Sequence, residues 1–286
     1  MVDGLSIADG AHKTRLKWHR LRTKLADPEF GSVVVAEGFR IGASMELDLR
    51  VRRDGGFVVV HDATLERETT GHGPVSEKSA ADLTGVIYQQ SQSPLILSEN
   101  LASMMHSAHP DALLQFDMKD DLRTIGEKGL DHLVQVFGQT KAPIIFSGGC
   151  ADLIQALATR LPHLPRGIDP SDRLFALAGQ EGFAACEAAL IAELRSGIRP
   201  DTCYLYWELV LAAKAIGPDL VAICHAEGVK VDIWTYTLTN PAAGFSDLEW
   251  AQFSALMALH PDQITTDEAI ATEAAWAARK GHMVHD

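Results

Sequence analysis

Short stretches with the two-residue alternation of a strand are followed, again and again along 286 residues, by stretches with helical spacing. Eight of these stretches open a strand–helix unit, and crossovers of that kind require parallel strands. Eight units in about 250 residues favour closure into a barrel over an open sheet. One gap interrupts the rhythm, between Ala63 and Pro94, and it is too long for an ordinary connection. The sequence therefore predicts an α/β protein, a (β/α)8 TIM barrel with a loop-rich insertion after the second strand. A single domain is expected over residues 1–286, with 63–97 as a small insertion or lid near the active-site mouth.

The first strand is read over Thr14–His19, where Leu16 and Trp18 share a face, and it ends at His19-Arg20. Phe30–Ile41 is a helix by the spacing of Val33, Val34, Ala36, Phe39 and Ile41, with Gly42 as its stop. The second strand begins at Ser44 and alternates strictly. Met45, Leu47 and Leu49 point one way, so Glu46, Asp48 and Arg50 point the other. Asp54-Gly55 is a strong hairpin signal, and a two-residue loop there pairs Arg53 with Gly56 and sets His61 opposite Asp48. Val58-Val59-Val60 reads as buried beside the acids.

Ser98 is the expected N-cap of a helix through Leu101, Met104 and Met105 that ends at His109-Pro110. The third strand, Leu113–Lys119, puts Gln115, Asp117 and Lys119 on one face and Leu114, Phe116 and Met118 on the other. Beyond it come a helix over Leu122–Phe137, a strand over Pro143–Ser147, a helix over Asp152–Leu161 and a short strand reaching Ile168-Asp169. One long helix is predicted from Ser171 or Asp172 to Arg195. A strand over Cys203–Tyr206, a helix over Pro218–Ala226, a strand over Val229–Tyr236, a helix over Leu248–Leu259 and a last strand over Gln263–Thr265 complete the set. His282 and His285 are expected in a disordered tail and not as ligands.

Composition narrows the function. With 47% hydrophobic and 22% charged residues the chain is globular, and no apolar run approaches the roughly 18 residues of a membrane span. The N-terminal residues lack the apolar core of a signal peptide, so a cytoplasmic location is expected. Cys150, Cys186, Cys203 and Cys224 show no metal-ligand spacing and read as reduced thiols. A formal net charge of −13 argues against nucleic acid and against anionic membranes as partners, which leaves a small molecule as the expected partner. Oligomeric state is not legible.

In a barrel, catalytic groups sit at the C-terminal ends of strands, and His19, Asp48, Asp117, Lys119 and Trp234 all fall near such ends. Glu46, Asp48 and Asp117 form a hard oxygen site suited to one divalent cation, Mg²⁺ or Ca²⁺. Arg20 and Lys119 supply positive charge that a globally acidic protein otherwise lacks. His19 and His61 are the natural acid and base because imidazole titrates near neutrality. Two acids on one strand face also suit a solvated edge, and a lone His is often structural. The buried valine run and the second His favour a site.

The motifs HR at 19–20, ELD at 46–48, RRDGGFVVVHD at 52–62, LERETTGHG at 65–73, FDMK at 116–119, WTY at 234–236 and ITTD at 264–267 occur in the order found in one family. Together they make the chain resemble the glycerophosphodiester phosphodiesterases from first strand to last. The resemblance implies a metal-dependent barrel that hydrolyses a small soluble glycerol- or sugar-type phosphodiester to an alcohol and a phosphomonoester. By motif, His19 and His61 look like the catalytic pair, Glu46 and Asp48 like metal ligands, and Asp117 falls where the family usually has Glu. Arg20 and Lys119 look like phosphate contacts and Trp234 like a pocket wall. In related enzymes a neighbouring substrate hydroxyl attacks phosphorus and gives a cyclic phosphate.

There are departures. Leu21 stands where a Gly usually follows HR, the family's PENT is reduced to Pro28-Glu29, and Glu68 replaces the first Thr after Arg67. The Asn after the WT pair is missing, with Thr237 close to its place. These changes touch the pocket more than the metal and His positions. Opine sugar phosphodiesters of the agrocinopine type are therefore the alternative substrate class. A cyclising phospholipase D-like enzyme and a barrel that binds phosphate esters without turnover are further alternatives.

Overall fold

A computed structural model describes residues 2–105, 108–140 and 143–283; His285 and the side chain of His282 lie outside the described set. In chain order the strands are β1 (Ser6–Asp9), β2 (His12–Trp18), β3 (Ser44–Val51), β4 (Phe57–Val59), β5 (Leu113–Met118), β6 (Ile144–Ser147), β7 (Gly167–Ile168), β8 (Thr202–Tyr206), β9 (Lys230–Trp234) and β10 (Gln263–Thr266). Helical segments separate all of them except the two hairpins, so the chain has the strand–helix order of a (β/α)8 fold.

Two compact units divide the chain. The middle unit comprises Arg20–Arg22 and Ala26–Pro165, and the terminal unit comprises Met1–His19, Thr23–Leu25 and Arg166–Asp286. In the middle unit β3 pairs with β5 and β5 with β6, all parallel, while β4 runs antiparallel to β3. In the terminal unit the parallel order is β2-β10-β9-β8-β7, with β1 antiparallel to β2.

Several expectations are corrected. The hairpin β1–β2 was not foreseen, because four residues of SIAD carry too little alternation to read. The predicted long helix is two, Ser171–Glu181 and Phe183–Leu194, broken at Gly182 (φ 85°, ψ 170°), a conformation closed to residues with a side chain. Helices Trp207–Ile216 and Ala269–Met283 were not assigned; the first starts directly after β8 with no loop residue to announce it. Ser98 is the first helical residue and not the N-cap, and its Oγ accepts the Phe57 N–H at 3.1 Å. That helix ends at Met104, before His109-Pro110.

The β3–β4 register also differs by one. Val51 faces Phe57, Arg50 faces Val58 and Leu49 faces Val59. The loop therefore holds three residues, Arg53, Asp54 and Gly55, closed by the Arg52 N–H to Gly56 O at 2.8 Å and turned at Gly55 (φ 86°). Arg52 enforces it, reaching Asp54 Oδ1 at 2.9 Å and Phe57 O at 2.9 Å. Pairing ends at Val59, so His61 lies beyond the ladder and not opposite Asp48.

Residues 63–97 are packed, not loose. Bridges join Thr64 to Pro74, Thr69 to Tyr88, Ile87 to Pro94 and Leu97 to Val58. Tyr88 is buried, donates to Val59 O at 2.7 Å and accepts the Ile96 N–H at 3.2 Å, which ties the segment to the end of β4. Among the described residues no single helix is long and apolar enough to cross a membrane.

Candidate active site

Parallel pairing of β3 with β5 sets Asp48 beside Asp117 and Glu46 beside Gln115. Side chains two apart on a strand share a face, so Glu46, Asp48 and Asp117 converge, with ligand oxygens all within 4.8 Å of one another. Glu46 and Asp48 are buried. Burial, then the charges of Asp48 and Asp117, push the Glu46 carboxyl well above its ordinary range. Lys119 sits inside this group, 2.5 Å from Asp117 Oδ2 and 2.9 Å from Asp48 Oδ1. Burial disfavours its ammonium, but the three carboxylates outweigh that and raise its pKa.

Arg20 closes the other side. Its backbone N–H donates to Glu46 Oε2 at 2.8 Å, its Nη1 donates to Glu29 Oε1 at 3.0 Å, and its Nε lies 3.5 Å from Asp48 Oδ2. Arg20 and Leu21 both take left-handed backbone angles (φ 51° and 56°). This explains why a Gly at 21 is the usual choice, and it is strain of the kind that functional sites hold in place through their surroundings.

The donor set fits a hard cation. Asp48 Oδ2 is buried and accepts no hydrogen bond among the described residues; Arg20 Nε, at 3.5 Å, is too far and poorly placed to donate one, which leaves the oxygen able to take a further partner. A dication among the three acids would add to the positive charge that Lys119 already supplies there.

His61 is placed by a separate cluster in the same unit. Its Nδ1 lies 2.8 Å from Asp62 Oδ1, and Arg67 grips Asp62 with Nε to Oδ2 at 2.5 Å and Nη2 to Oδ1 at 3.0 Å. Hydrogen bonds from Arg67, then from His61, hold the Asp62 carboxyl well below its ordinary range. Glu29 joins the two clusters, because it also meets Arg67 Nη1 at 3.4 Å. An ion chain thus runs Asp48–Arg20–Glu29–Arg67–Asp62–His61. The sequence flagged Glu29 only as the remnant of a motif and gave Asp62 and Arg67 no role.

In the terminal unit, β2 pairs with β10 so that Trp18 faces Thr266, which brings the next residues, His19 and Asp267, together. His19 Nδ1 lies 2.8 Å from Asp267 Oδ1, and Thr237 Oγ1 donates to Asp267 Oδ2 at 3.0 Å. Trp234 ends β9 with its ring 5.3 Å from that of Tyr206, and its Nε1–H has no hydrogen-bond partner among the described residues. A cavity of about 640 Å³ opens in this unit, walled in part by Trp207, Tyr236, Thr237, Phe245 and Gln252.

The loop that carries Thr237 is pinned by a capping box, the Glu249 N–H donating to Ser246 Oγ at 3.3 Å and the Ser246 N–H to Glu249 Oε2 at 2.9 Å, and Glu249 also accepts Ser246 Oγ–H at 2.6 Å and the Thr239 N–H at 2.8 Å. Against burial, these bonds lower Glu249 to about 2. A carboxylate whose folded pKa is depressed stabilises above its unfolded pKa, and that contribution is lost as the pH falls through the folded one. Stability is therefore expected to drop between about pH 4.5 and pH 2, less steeply in Ser246→Ala, as followed by thermal unfolding across that range.

Two polar residues escaped the sequence reading altogether. Lys17 and Asp232 are fully buried and ion-paired at 2.5 Å, with Thr265 Oγ1 donating to Asp232 Oδ1 at 2.7 Å and the Lys17 ammonium 4.4 Å from the centre of the Tyr204 ring. The signal was present for Asp232, which lies two residues before Trp234 on β9 and so shares its strand face; Lys17 lies two before His19, but β2 ends at Trp18.

A model of the glycerophosphoryl diester phosphodiesterase family matches residues 35–271. Comparison with curated proteins gave no match. Among solved structures, a candidate glycerophosphoryl diester phosphodiesterase of Agrobacterium tumefaciens is 18% identical with a TM-score of 0.68, over 95% of this chain and 99% of that one. A glycerophosphodiester phosphodiesterase of Parabacteroides distasonis is 15% identical with a TM-score of 0.70, over 95% of this chain and 100% of its own. An Oleispira antarctica phosphodiesterase, solved with its product sn-glycerol-3-phosphate, is 16% identical with a TM-score of 0.61, over 91% and 95%. At these identities the solved structures establish the TIM-barrel fold, and the match of the family model over most of the sequence shows that the chain belongs to the glycerophosphoryl diester phosphodiesterase family of phosphoric diester hydrolases.

Proposed function

We propose that this chain is a cation-dependent phosphodiesterase that cleaves a small soluble diester to an alcohol and a phosphomonoester, with His19 and His61 exchanging the protons. The observation that carries this reading is the buried carboxylate cluster with its unsatisfied Asp48 Oδ2. Glu46, Asp48 and Asp117 would hold the cation, which when bound polarises a phosphoryl oxygen and offsets its charge. Mg²⁺ and Ca²⁺ both suit the oxygen donors.

His61 and His19 are alike in one respect: each has Nδ1 against a carboxylate, Asp62 or Asp267. That contact favours the tautomer with its proton on Nδ1 and leaves Nε2 to take or give a proton. One imidazole removes the proton of the attacking hydroxyl or water, and the other returns one to the leaving alkoxide. Arg20 and Lys119 balance negative charge around the phosphate, Lys119 exchanging Asp117 and Asp48 for phosphate oxygens.

The alcohol is of the glycerol or sugar type, with agrocinopine-like opine sugar diesters as the alternative substrate class. The segment 63–97, which carries Arg67 and Glu68, is a fixed cover beside His61 in a single functional domain, and the reaction is assigned to the cytoplasm.

The test offers purified protein glycerophosphocholine, a sugar-1-phosphate diester and bis(4-nitrophenyl) phosphate, each with and without EDTA. Metal-dependent cleavage is expected, and Asp117→Ala should raise the metal concentration giving half activity by about tenfold or more. No cleavage of any diester with metal present would leave a binding barrel, and an unchanged metal titration in Asp117→Ala would remove that ligand.

A further inference from the structure

We infer that Glu68 is the positioning residue for His61: its buried carboxylate holds the successive backbone N–H groups of His61 and Asp62 and so fixes the base from which the imidazole projects. The inference rests on the reading of His61 as a proton-transfer group. The Glu68 side chain is only 3% exposed. Its Oε2 accepts the His61 N–H at 2.9 Å, and its Oε1 accepts the Asp62 N–H at 2.8 Å. Oε1 also receives Arg67 Nη2 at 2.8 Å. Two neighbouring amides are thus bridged by one carboxylate in charge-assisted bonds.

The need for such a bridge follows from the strand. Pairing of β4 with β3 ends at Val59, so the ladder gives the His61 and Asp62 amides no partner, and a part-buried N–H without one is costly. Glu68 is itself anchored, since its carbonyl accepts the Gln89 N–H at 2.9 Å and the next residue, Thr69, bridges to Tyr88. The backbone of His61 is therefore clamped by Glu68 while its ring is aimed by Asp62, and Arg67 binds both acids. A threonine at this position, the residue the family motif carries, has a single oxygen on a shorter arm and cannot accept both amides with separate oxygens.

Glu68→Gln keeps the size but sets an amide NH₂ against one of the two N–H donors. With bis(4-nitrophenyl) phosphate and saturating Mg²⁺, its kcat is expected to fall by about tenfold or more while KM stays within about twofold. In a His61→Ala background the same change should cost less than about twofold, because a residue acting only through His61 has nothing left to position. Glu68→Thr, which removes both carboxylate oxygens, should lose at least as much as Glu68→Gln; if Glu68→Gln does not fold, a lower kcat at constant KM in Glu68→Thr supports the assignment and a wild-type kcat overturns it.

A wild-type kcat in Glu68→Gln, or an equal loss with and without His61, would overturn the inference while leaving the catalytic reading in place. Near wild-type rates in His61→Ala alone would instead remove the reading on which it rests.

Discussion

His61→Ala is expected to lower kcat by about 10² or more while leaving the metal titration unchanged, and His19→Ala to do the same. The size follows from the role. A positioned imidazole contributes about 10²–10⁴ to a proton transfer, and alanine leaves only water to replace it. The separation of kcat from metal affinity follows from the geometry, since the His61 ring meets Asp62 and the His19 ring meets Asp267, neither of them one of the three clustered acids. Asp62→Asn should show a smaller loss, because Arg67 and Glu68 still hold the turn while the ring loses its carboxylate. Steady-state kinetics on bis(4-nitrophenyl) phosphate, with metal varied, distinguishes the cases. Near wild-type turnover in either His variant would take that residue out of the mechanism.

The candidate site was legible where strand alternation alone decides side-chain direction. Glu46, Asp48 and Asp117 could be placed on shared faces by counting in twos, and the parallel register of β3 with β5 brings them together as that count requires. His61 was harder. Its predicted place opposite Asp48 depended on a two-residue hairpin loop, and the Arg52 side chain that sets a three-residue loop bonds Asp54 and Phe57 within the hairpin and is held by Glu99 from far along the chain. A one-residue change of register would have moved a strand residue to the other face, yet His61 lies past the ladder and takes its direction from Asp62 and Glu68 instead. Lys119 reads as a phosphate contact from its face, but its pairing with Asp117 and Asp48 was not legible, because spacing gives a side chain's face and not its partner. The helix break at Gly182 was hidden for a related reason: a glycine inside a helical pattern is tolerated often enough that only its actual φ of 85° reveals the stop.

Asp232→Ala is expected to destabilise the protein by about 3–5 kcal/mol, since it leaves the fully buried Lys17 ammonium without its carboxylate. On a chain of this size that is a fall in Tm on the order of 10 °C. Lys17→Met should cost less, because Asp232 keeps the Thr265 hydroxyl and, once protonated, need not carry a buried charge. The double change Lys17→Met/Asp232→Leu should recover much of the loss, as an apolar pair of similar volume avoids the desolvation of two ions. Thermal unfolding of the three variants tests the ranking. The functional consequence is equally specific: β2, β9 and β10 carry Lys17, Asp232 and Thr265, and the same strands lead directly to His19, Trp234 and Asp267. If the ion pair sets how these three strands lie, the double variant will fold yet lose activity through His19. If it only fills space, activity will return with stability. A single Asp232→Ala within about 1 kcal/mol of the wild type would show that the Lys17 charge is satisfied by other means, and the pair would then have no claim on the site above it.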